Sequence, residues 1–258
     1  MGEFSTTERD GHLFIVTINR PEVMNSLHPL ASRELEGVWD EFQNDPELWV
    51  GIVTGAGDRA FSAGNDLKYQ ASGGDMSIRP KAGFGGITSR FDLDKPVIAA
   101  VNGVAMGGGF EIALACDIIV AAENAVFALP EPRVGLAALA GGVHRLPRTI
   151  GTKRAMSMIL TGRRVSAQEG LELGFVSEVV PEGQAVEGAK RWAAQILECS
   201  PMSVRASKQA VMSGLEMAGV EAASAGKYPA VVAMAKSEDY IEGPKAFSEK
   251  RPPQWKGR

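Results

Sequence analysis

Short apolar runs and helical spacings alternate along the first half of the chain. Five runs predict buried strands, at residues 13–18, 50–55, 96–101, 117–122 and 126–129. A spacing of i, i+3, i+4 and i+7 predicts an amphipathic helix over about 29–44, carried by Leu35, Val38, Trp39 and Phe42. Strands that alternate with helices predict an α/β fold in which helices cover the faces of a sheet.

The second half of the chain has mainly helical patterns. One helix is predicted to begin at Gly141, and another is predicted to end at Thr161. Further helices are predicted over 167–173 and over about 187–198, 201–217 and 219–236. A run of helices after an α/β core indicates an appended helical region. We therefore predict a core over residues 1–195 and a C-terminal helical region over 196–258.

One stretch after the 96–101 strand combines glycines with a carboxylate. Gly107, Gly108 and Gly109 precede an apolar helical pattern whose first turn contains Glu111. Backbone N–H groups at such a helix start can approach a ligand closely, but the spacing of a phosphate-binding loop is absent. An N–H donor beside a carboxylate suits acid–base chemistry on a carbonyl compound. Alternatively, Glu111 only complements the helix dipole.

A second carboxylate, Glu131, lies between Pro130 and Pro132. The alternative is a plain loop carboxylate, but the prolines restrict the backbone, which favours a fixed position over a mobile surface site. Spacing alone makes the Glu111–Glu131 pair only suggestive of a catalytic site.

Small residues at 62–64 allow close approach of the backbone to a ligand. A strand-to-helix turn capped by Asn65 or Asp66 is the alternative. The following residues, 69–90, are rich in glycine and polar side chains without periodicity. We interpret them as a substrate-side lid, with a disordered insertion as the alternative.

Composition narrows the function class. The 258 residues carry a net charge of −4, which offers no basic surface for nucleic acid or membrane. The two cysteines, Cys116 and Cys199, are far apart, and the three histidines are scattered, so we predict no metal site. His144 is excluded as a catalyst because a lone histidine on a helix is more often structural. The chain start is not typical of a signal peptide, and we expect a cytoplasmic protein.

Three segments resemble the signature segments of the crotonase (enoyl-CoA hydratase/isomerase) superfamily. They are AFSAGNDLK at 60–68, VNGVAMGGGFE at 101–111 and FALPEPRVGL at 127–136. Within the family, 64–67, 91–96 and 237–258 are most similar to the carnitinyl-CoA dehydratase branch. The resemblance implies the crotonase (ClpP-like) spiral of repeated ββα units, with a C-terminal region that forms a homotrimer or a dimer of trimers.

The resemblance also implies residue roles. Glu111 and Glu131 would hold a water molecule between them, and Glu131 would protonate C2 of the acyl group. The N–H groups of Asn65 and Gly108 would form the oxyanion hole. Contacts with the substrate or its coenzyme A are implied for a larger set: Val23, Ala63, Asp66, Leu67, Lys68, Phe247 and Lys250. Lys68 is equally well explained as a solvated surface lysine. Coenzyme A is part of the substrate, so no separate cofactor is expected.

The function implied is that of an enoyl-CoA hydratase, a lyase of fatty acid β-oxidation. Two alternatives stay open: a carnitinyl-CoA dehydratase, and a non-catalytic protein of this fold that binds acyl-CoA. Residues 135–140 depart from the common hydratase pattern and from the carnitinyl-CoA branch, so the acyl group is the least defined part of the assignment.

Overall fold

The computed structural model describes residues 2–258, which form ten strands and eleven α-helices. The strands are β1 Ser5–Asp10, β2 Leu13–Ile18, β3 Val50–Gly55, β4 Ala60–Ser62, β5 Val97–Val101, β6 Val104–Met106, β7 Ile118–Ala122, β8 Val126–Ala128, β9 Val165–Ser166 and β10 Glu178–Val180. The helices are α1 Pro29–Asn44, α2 Leu67–Ala71, α3 Gly108–Ala115, α4 Gly142–Ile150, α5 Thr152–Thr161, α6 Ala167–Leu173, α7 Ala185–Leu197, α8 Pro201–Gly214, α9 Val220–Ser224, α10 Pro229–Ala235 and α11 Glu238–Glu249. Short 3₁₀ turns occur at Pro21–Val23, Phe84–Gly86 and Glu131–Val134. Within this range, no helix combines the length and the apolar character needed to cross a membrane.

The strands form two sheets. The larger sheet has the order β1-β2-β3-β5-β7-β10 and is parallel except for β1, which runs antiparallel to β2. The smaller sheet has the order β4-β6-β8-β9, in which β9 runs antiparallel to β8. From β3 to β8, successive strands alternate between the two sheets, and a helix follows each pair. These three ββα units confirm the predicted α/β architecture.

Alternation along the strands of the larger sheet gives it two buried faces. In β2, Phe14, Val16 and Ile18 join the main core with α1 and α3, while Leu13 and Ile15 join a second cluster under α7. The close approach of α7 depends on Gly188, where a methyl group would lie 2.8 Å from Val120. Burying each such Val, Ile or Phe contributes roughly 1.5–3 kcal/mol, so both faces stabilise the sheet.

The smaller sheet positions the functional segments. β4, β6 and β8 are adjacent and parallel, so their carboxyl ends lie at one edge of the sheet. The residues that follow these ends are 63–66, 107–111 and 129–131. Sequence segments that are far apart are thereby brought to one place.

Most strand and helix predictions in the core are confirmed, including β2, β3 and α1 at their predicted bounds. The prediction of one helix over 219–236 is wrong, because the structure has α9 and α10 there. Pro229 lacks an N–H group and occupies the first turn of α10, and Gly226 lies in the break. The predicted loop over 69–90 contains the end of α2 and the Phe84–Gly86 turn.

The C-terminal region is tied to the core by charged side chains. Arg205 of α8 makes two hydrogen bonds of 3.0 and 3.1 Å to Asp94. Lys208 donates to the Asp117 carboxylate at 2.7 Å and to the Lys95 carbonyl at 2.8 Å. The predicted domain boundary at residue 195 falls within the last turn of α7, while these contacts begin only in α8.

Candidate active site

The three glycines at the start of α3, Gly107 to Gly109, are each required for a separate reason. Gly107 has φ +54°, in the left-handed region that favours glycine. A methyl group on Gly108 would overlap the Phe84 ring, and one on Gly109 would lie about 2.0 Å from the Ser62 carbonyl oxygen. The start of α3 therefore packs directly on the backbone that follows β4.

That backbone contains Gly64 and Asn65. The Leu27 N–H donates to the Gly64 carbonyl at 2.8 Å, and the Asp66 N–H donates to the Leu27 carbonyl at 3.0 Å, which forms a parallel bridge. In such a bridge the N–H of the middle residue, Asn65, points to the opposite side. A methyl group on Gly64 would lie 2.8 Å from the Gly108 nitrogen, so the two segments touch.

The backbone N–H groups of Asn65 and Gly108 are free to bind a ligand. Among residues 2–258, neither N–H has an acceptor within hydrogen-bonding distance. Gly108 is the first residue of α3, where N–H groups have no partner inside the helix and the helix dipole is positive. Two such donors on touching segments can stabilise a developing negative charge on one oxygen.

Glu111 lies one helical turn into α3 and is only 3% exposed. Its Oε1 accepts a hydrogen bond of 2.8 Å from the N–H of Gly142, at the start of α4. Burial raises the pKa of Glu111 to about 7; the Gly142 hydrogen bond opposes that rise, and the nearby charge of Glu131 adds to it. The carboxyl group can therefore exist in either protonation state near neutral pH.

Glu131 starts the 3₁₀ turn after β8, and its Oε1 lies close to Gly107. Burial raises the pKa of this carboxyl group as well. Its Oε2 is fully buried and has no hydrogen-bond partner in the described part of the chain. Because buried polar atoms are normally paired, this oxygen is suited to bind a water molecule or a substrate atom.

The structure brings four of the predicted residues together: Asn65, Gly108, Glu111 and Glu131. Among the residues implied to contact coenzyme A, Ala63 lies beside the Pro21–Val23 turn, since its N–H donates to the carbonyl of the next residue, Met24, at 2.9 Å. Val23 ends that turn.

The side chain of Asp66 is already engaged. It caps α2 by accepting the Tyr69 N–H at 3.0 Å, and it pairs with Arg20 at 3.1 Å. The pKa of Asp66 is lowered by these hydrogen bonds in spite of its burial. Leu67 and Lys68 follow in α2 and are exposed.

Phe247 and Lys250 lie in and directly after α11, which packs against α10 and not against the glutamate pair. The Phe247 side chain is 88% exposed. Within one chain, these two residues are thus separate from the four at the edge of the smaller sheet. His144, which the sequence analysis leaves out of the site, is exposed on α4.

Sequence reasoning missed three residues that shape the site. Gly142 donates to Glu111, and a methyl group there would lie 3.1 Å from the Glu111 carboxylate. Phe84 contacts Gly108 from the 69–90 segment. Arg145 links α4 to that segment by donating to the Thr88 carbonyl at 2.9 Å, and its guanidinium lies 5.6 Å from the Phe91 ring centre. The paired glycines at 141–142 were a usable signal, whereas nothing local distinguished Phe84.

A cleft of about 380 Å³ lies elsewhere, at the carboxyl end of the larger sheet beside the start of α7. Its lining includes Asp58, Asn102 and Glu182 but neither glutamate of the pair. The candidate active site is therefore identified by the convergence of backbone N–H donors and carboxylates, and not by the volume of a cleft.

Comparison with known proteins gives a consistent result. Residues 8–258 match the family described as enoyl-CoA hydratase/isomerase. The chain is 44% identical over 266 aligned residues to a carnitinyl-CoA dehydratase of Salmonella typhi, with 100% of both chains covered.

Solved structures give the same picture. An enoyl-CoA hydratase from Mycobacterium tuberculosis H37Rv superposes with a TM-score of 0.93 at 36% identity, with both chains fully covered. A carnitinyl-CoA hydratase from Mycobacterium avium is 40% identical, also over both full chains, and superposes with a TM-score of 0.78. The fold is thus shared with both kinds of relative.

Proposed function

This chain belongs to the enoyl-CoA hydratase/isomerase family, and we propose that it adds water reversibly across the 2,3-double bond of an enoyl-CoA thioester. The protein is a hydro-lyase in this reading. The observation that carries the proposal is the buried, unpartnered Oε2 of Glu131 beside Glu111, next to two free backbone N–H groups.

In the proposed reaction, the thioester oxygen accepts hydrogen bonds from the N–H groups of Asn65 and Gly108. These donors stabilise the enolate charge that develops when water attacks C3. Removing one donor of this kind in other enzymes costs on the order of 10²–10³ in rate. Because both donors belong to the backbone, they need no reorganisation during the reaction.

The two carboxyl groups divide the proton transfers. The attacking water lies between Glu111 and Glu131 and loses a proton to the Glu111 carboxylate, and protonated Glu131 supplies the proton that C2 gains. Burial raises both pKa values and supports this division, since one carboxyl group can be protonated while the other is charged. Dehydration of a 3-hydroxyacyl-CoA uses the same groups in reverse.

A second candidate, the hydration of crotonobetainyl-CoA, is supported by the 44% identity to a carnitinyl-CoA dehydratase. Its substrate differs from crotonyl-CoA by a trimethylammonium group on C4. The two reactions need the same donors and carboxylates, so only the surroundings of the acyl group separate them.

The test is a side-by-side assay of crotonyl-CoA, longer 2-enoyl-CoA thioesters and crotonobetainyl-CoA. The reaction is monitored by the decrease in absorbance of the conjugated double bond. We expect hydration of at least one, and the preferred thioester identifies the acyl group. If coenzyme A thioesters bind without any turnover, the protein is a non-catalytic binder of this fold and the proposal fails.

We further propose a homotrimer, or a dimer of trimers, in which Phe247 and Lys250 contact coenzyme A held by a neighbouring subunit. Exposed apolar side chains in the C-terminal region support this assembly, among them Leu215, Ile241 and Phe247. Val23, Ala63, Leu67 and Lys68 would contact coenzyme A within the same subunit. We also propose that the protein acts in cytoplasmic fatty acid β-oxidation. Coenzyme A is then part of the substrate, and no separate cofactor is needed.

A further inference from the structure

The segment Gly83-Phe84-Gly85-Gly86 occupies a narrow space between α1 and α3. All three of its glycines have φ between +60° and +80°, in the left-handed region where a side chain is strained. This backbone conformation turns the chain sharply on both sides of Phe84.

Close contacts fix the segment in that space. A methyl group on Gly86 would lie 2.3–2.6 Å from the backbone of Leu35 and Glu36, and one on Gly85 would lie 2.6 Å from Ile112. The Gly85 N–H donates to Ser32 Oγ at 3.2 Å. The backbone on either side of Phe84 is therefore held by α1 and by α3.

Phe84 is the only residue of the four with a side chain, and its ring lies against Gly108. Three ring carbons would be 2.4–2.8 Å from a methyl group at that position, so the ring is in direct contact with Gly108 itself. Gly108 supplies one of the two free N–H groups that bind the thioester oxygen in the proposed function. An aromatic ring on a fixed backbone thus lies beside the residue whose N–H would bind the thioester oxygen.

We propose that Phe84 is a specificity-determining residue that closes the acyl end of the site and restricts the substrate to thioesters with short acyl groups. The inference rests on the proposed hydration reaction, because that reaction places the thioester at Gly108. Discrimination by acyl length would be steric, because each additional methylene beyond the first few carbons would clash with the Phe84 ring, which the three glycines hold in place. Pockets of this kind discriminate by roughly 10–200-fold for one methylene.

The experiment compares kcat/KM for crotonyl-CoA and trans-2-decenoyl-CoA in the full-length parent, Phe84→Ala, Phe84→Leu and Phe91→Ala. Phe91 is a matched control because it belongs to the same part of the chain but faces Arg145 and is 80% exposed. We expect the parent to prefer crotonyl-CoA and Phe84→Ala to shift the preference towards decenoyl-CoA by about tenfold or more.

Phe84→Leu keeps an apolar contact with Gly108 and should shift the preference in the same direction by about threefold, so it carries the test if Phe84→Ala does not fold. Phe91→Ala should leave the preference unchanged. A parent that hydrates both thioesters equally well, or Phe84 variants whose preference stays within about twofold of the parent, would overturn the inference. A parent that hydrates no thioester would instead refute the proposed reaction, so the two failures are distinguishable.

Discussion

At the scale of single residues, the site depends on two glutamates that differ in their surroundings. Glu111 accepts a backbone hydrogen bond and is almost fully buried, whereas one oxygen of Glu131 is buried without a protein partner. The two groups therefore respond differently to substitution, and each gives its own prediction.

Replacing Glu131 by glutamine should remove the proton donor to C2 while keeping the shape of the side chain. We expect kcat on the best substrate to fall by roughly 10²–10⁴-fold, with little change in the affinity for the acyl-CoA product. Steady-state kinetics and calorimetric binding measure the two quantities. An activity within a few-fold of the parent would contradict the role given to Glu131.

Replacing Glu111 by glutamine should increase the stability of the protein at pH 8 and abolish its hydratase activity. The pKa of Glu111 is raised from 4.5 to about 7, so the folded state binds a proton more tightly than the unfolded state. The free energy of unfolding that this group contributes is full below pH 4.5 and is lost as the pH rises to about 7, and the loss amounts to at most about 3 kcal/mol.

Glutamine mimics the protonated form and can still accept the Gly142 hydrogen bond. Glu111→Gln should therefore unfold at higher denaturant concentration than the parent at pH 8, with a smaller difference at pH 5, although hydratase activity is lost. Chemical denaturation at the two pH values measures this. A variant that is less stable than the parent at pH 8 would show that the buried, charged Glu111 carboxylate does not destabilise the folded protein.

At the scale of elements, the start of α3 is fixed by contacts between backbones. Gly109→Ala would place a methyl group about 2.0 Å from the Ser62 carbonyl oxygen, so α3 must move away from β4. We expect a loss of at least about 2 kcal/mol in the free energy of unfolding and a large loss of activity, since Gly108 moves with the helix.

Gly37 in α1 provides the matched control, because a methyl group there meets nothing within 4 Å. Gly37→Ala should stabilise the protein by about 0.5–1 kcal/mol and leave activity unchanged. Thermal and chemical unfolding of both variants check the pair of predictions. Equal effects of the two substitutions would argue against a specific contact between α3 and β4.

The sequence predicted elements well where one residue pattern decides the structure. Apolar runs located β2, β3 and β5, and the i, i+3, i+4, i+7 spacing located α1, because a buried face imposes its own periodicity. β1 was missed because it is a polar strand at the sheet edge, mostly exposed after Ser5. β4, β6 and β9 contain only two or three residues each, too few for a period to be visible.

The candidate site was predictable only in part. The glycines before Glu111 and the prolines around Glu131 are local signals, and the resemblance joined them with Asn65. The Gly142 hydrogen bond and the Phe84 contact join residues more than twenty positions apart in the sequence, and they depend on how the ββα units stack. Such contacts follow from tertiary packing, and no residue pattern within a short stretch of sequence predicts them.

At the scale of the whole molecule, several large apolar side chains of the C-terminal region are exposed. Leu215, Val220, Ile241 and Phe247 are all more than 70% exposed. We predict that the protein in solution has three or six times the mass of one chain, because association would bury these side chains. Light scattering coupled to size-exclusion chromatography measures the mass, and a monomer at micromolar concentration would contradict the prediction.

The contact between Gly64 and Gly108 has one more consequence, for how this scaffold can diversify. The two N–H donors are set by main-chain atoms that touch, so exchanging side chains nearby leaves their alignment intact. New acyl groups could then be accommodated by changes at Phe84 or around residues 134–140 without rebuilding the catalytic apparatus. Libraries restricted to those positions should yield altered selectivity far more often than loss of turnover, which makes them the natural starting point for laboratory evolution.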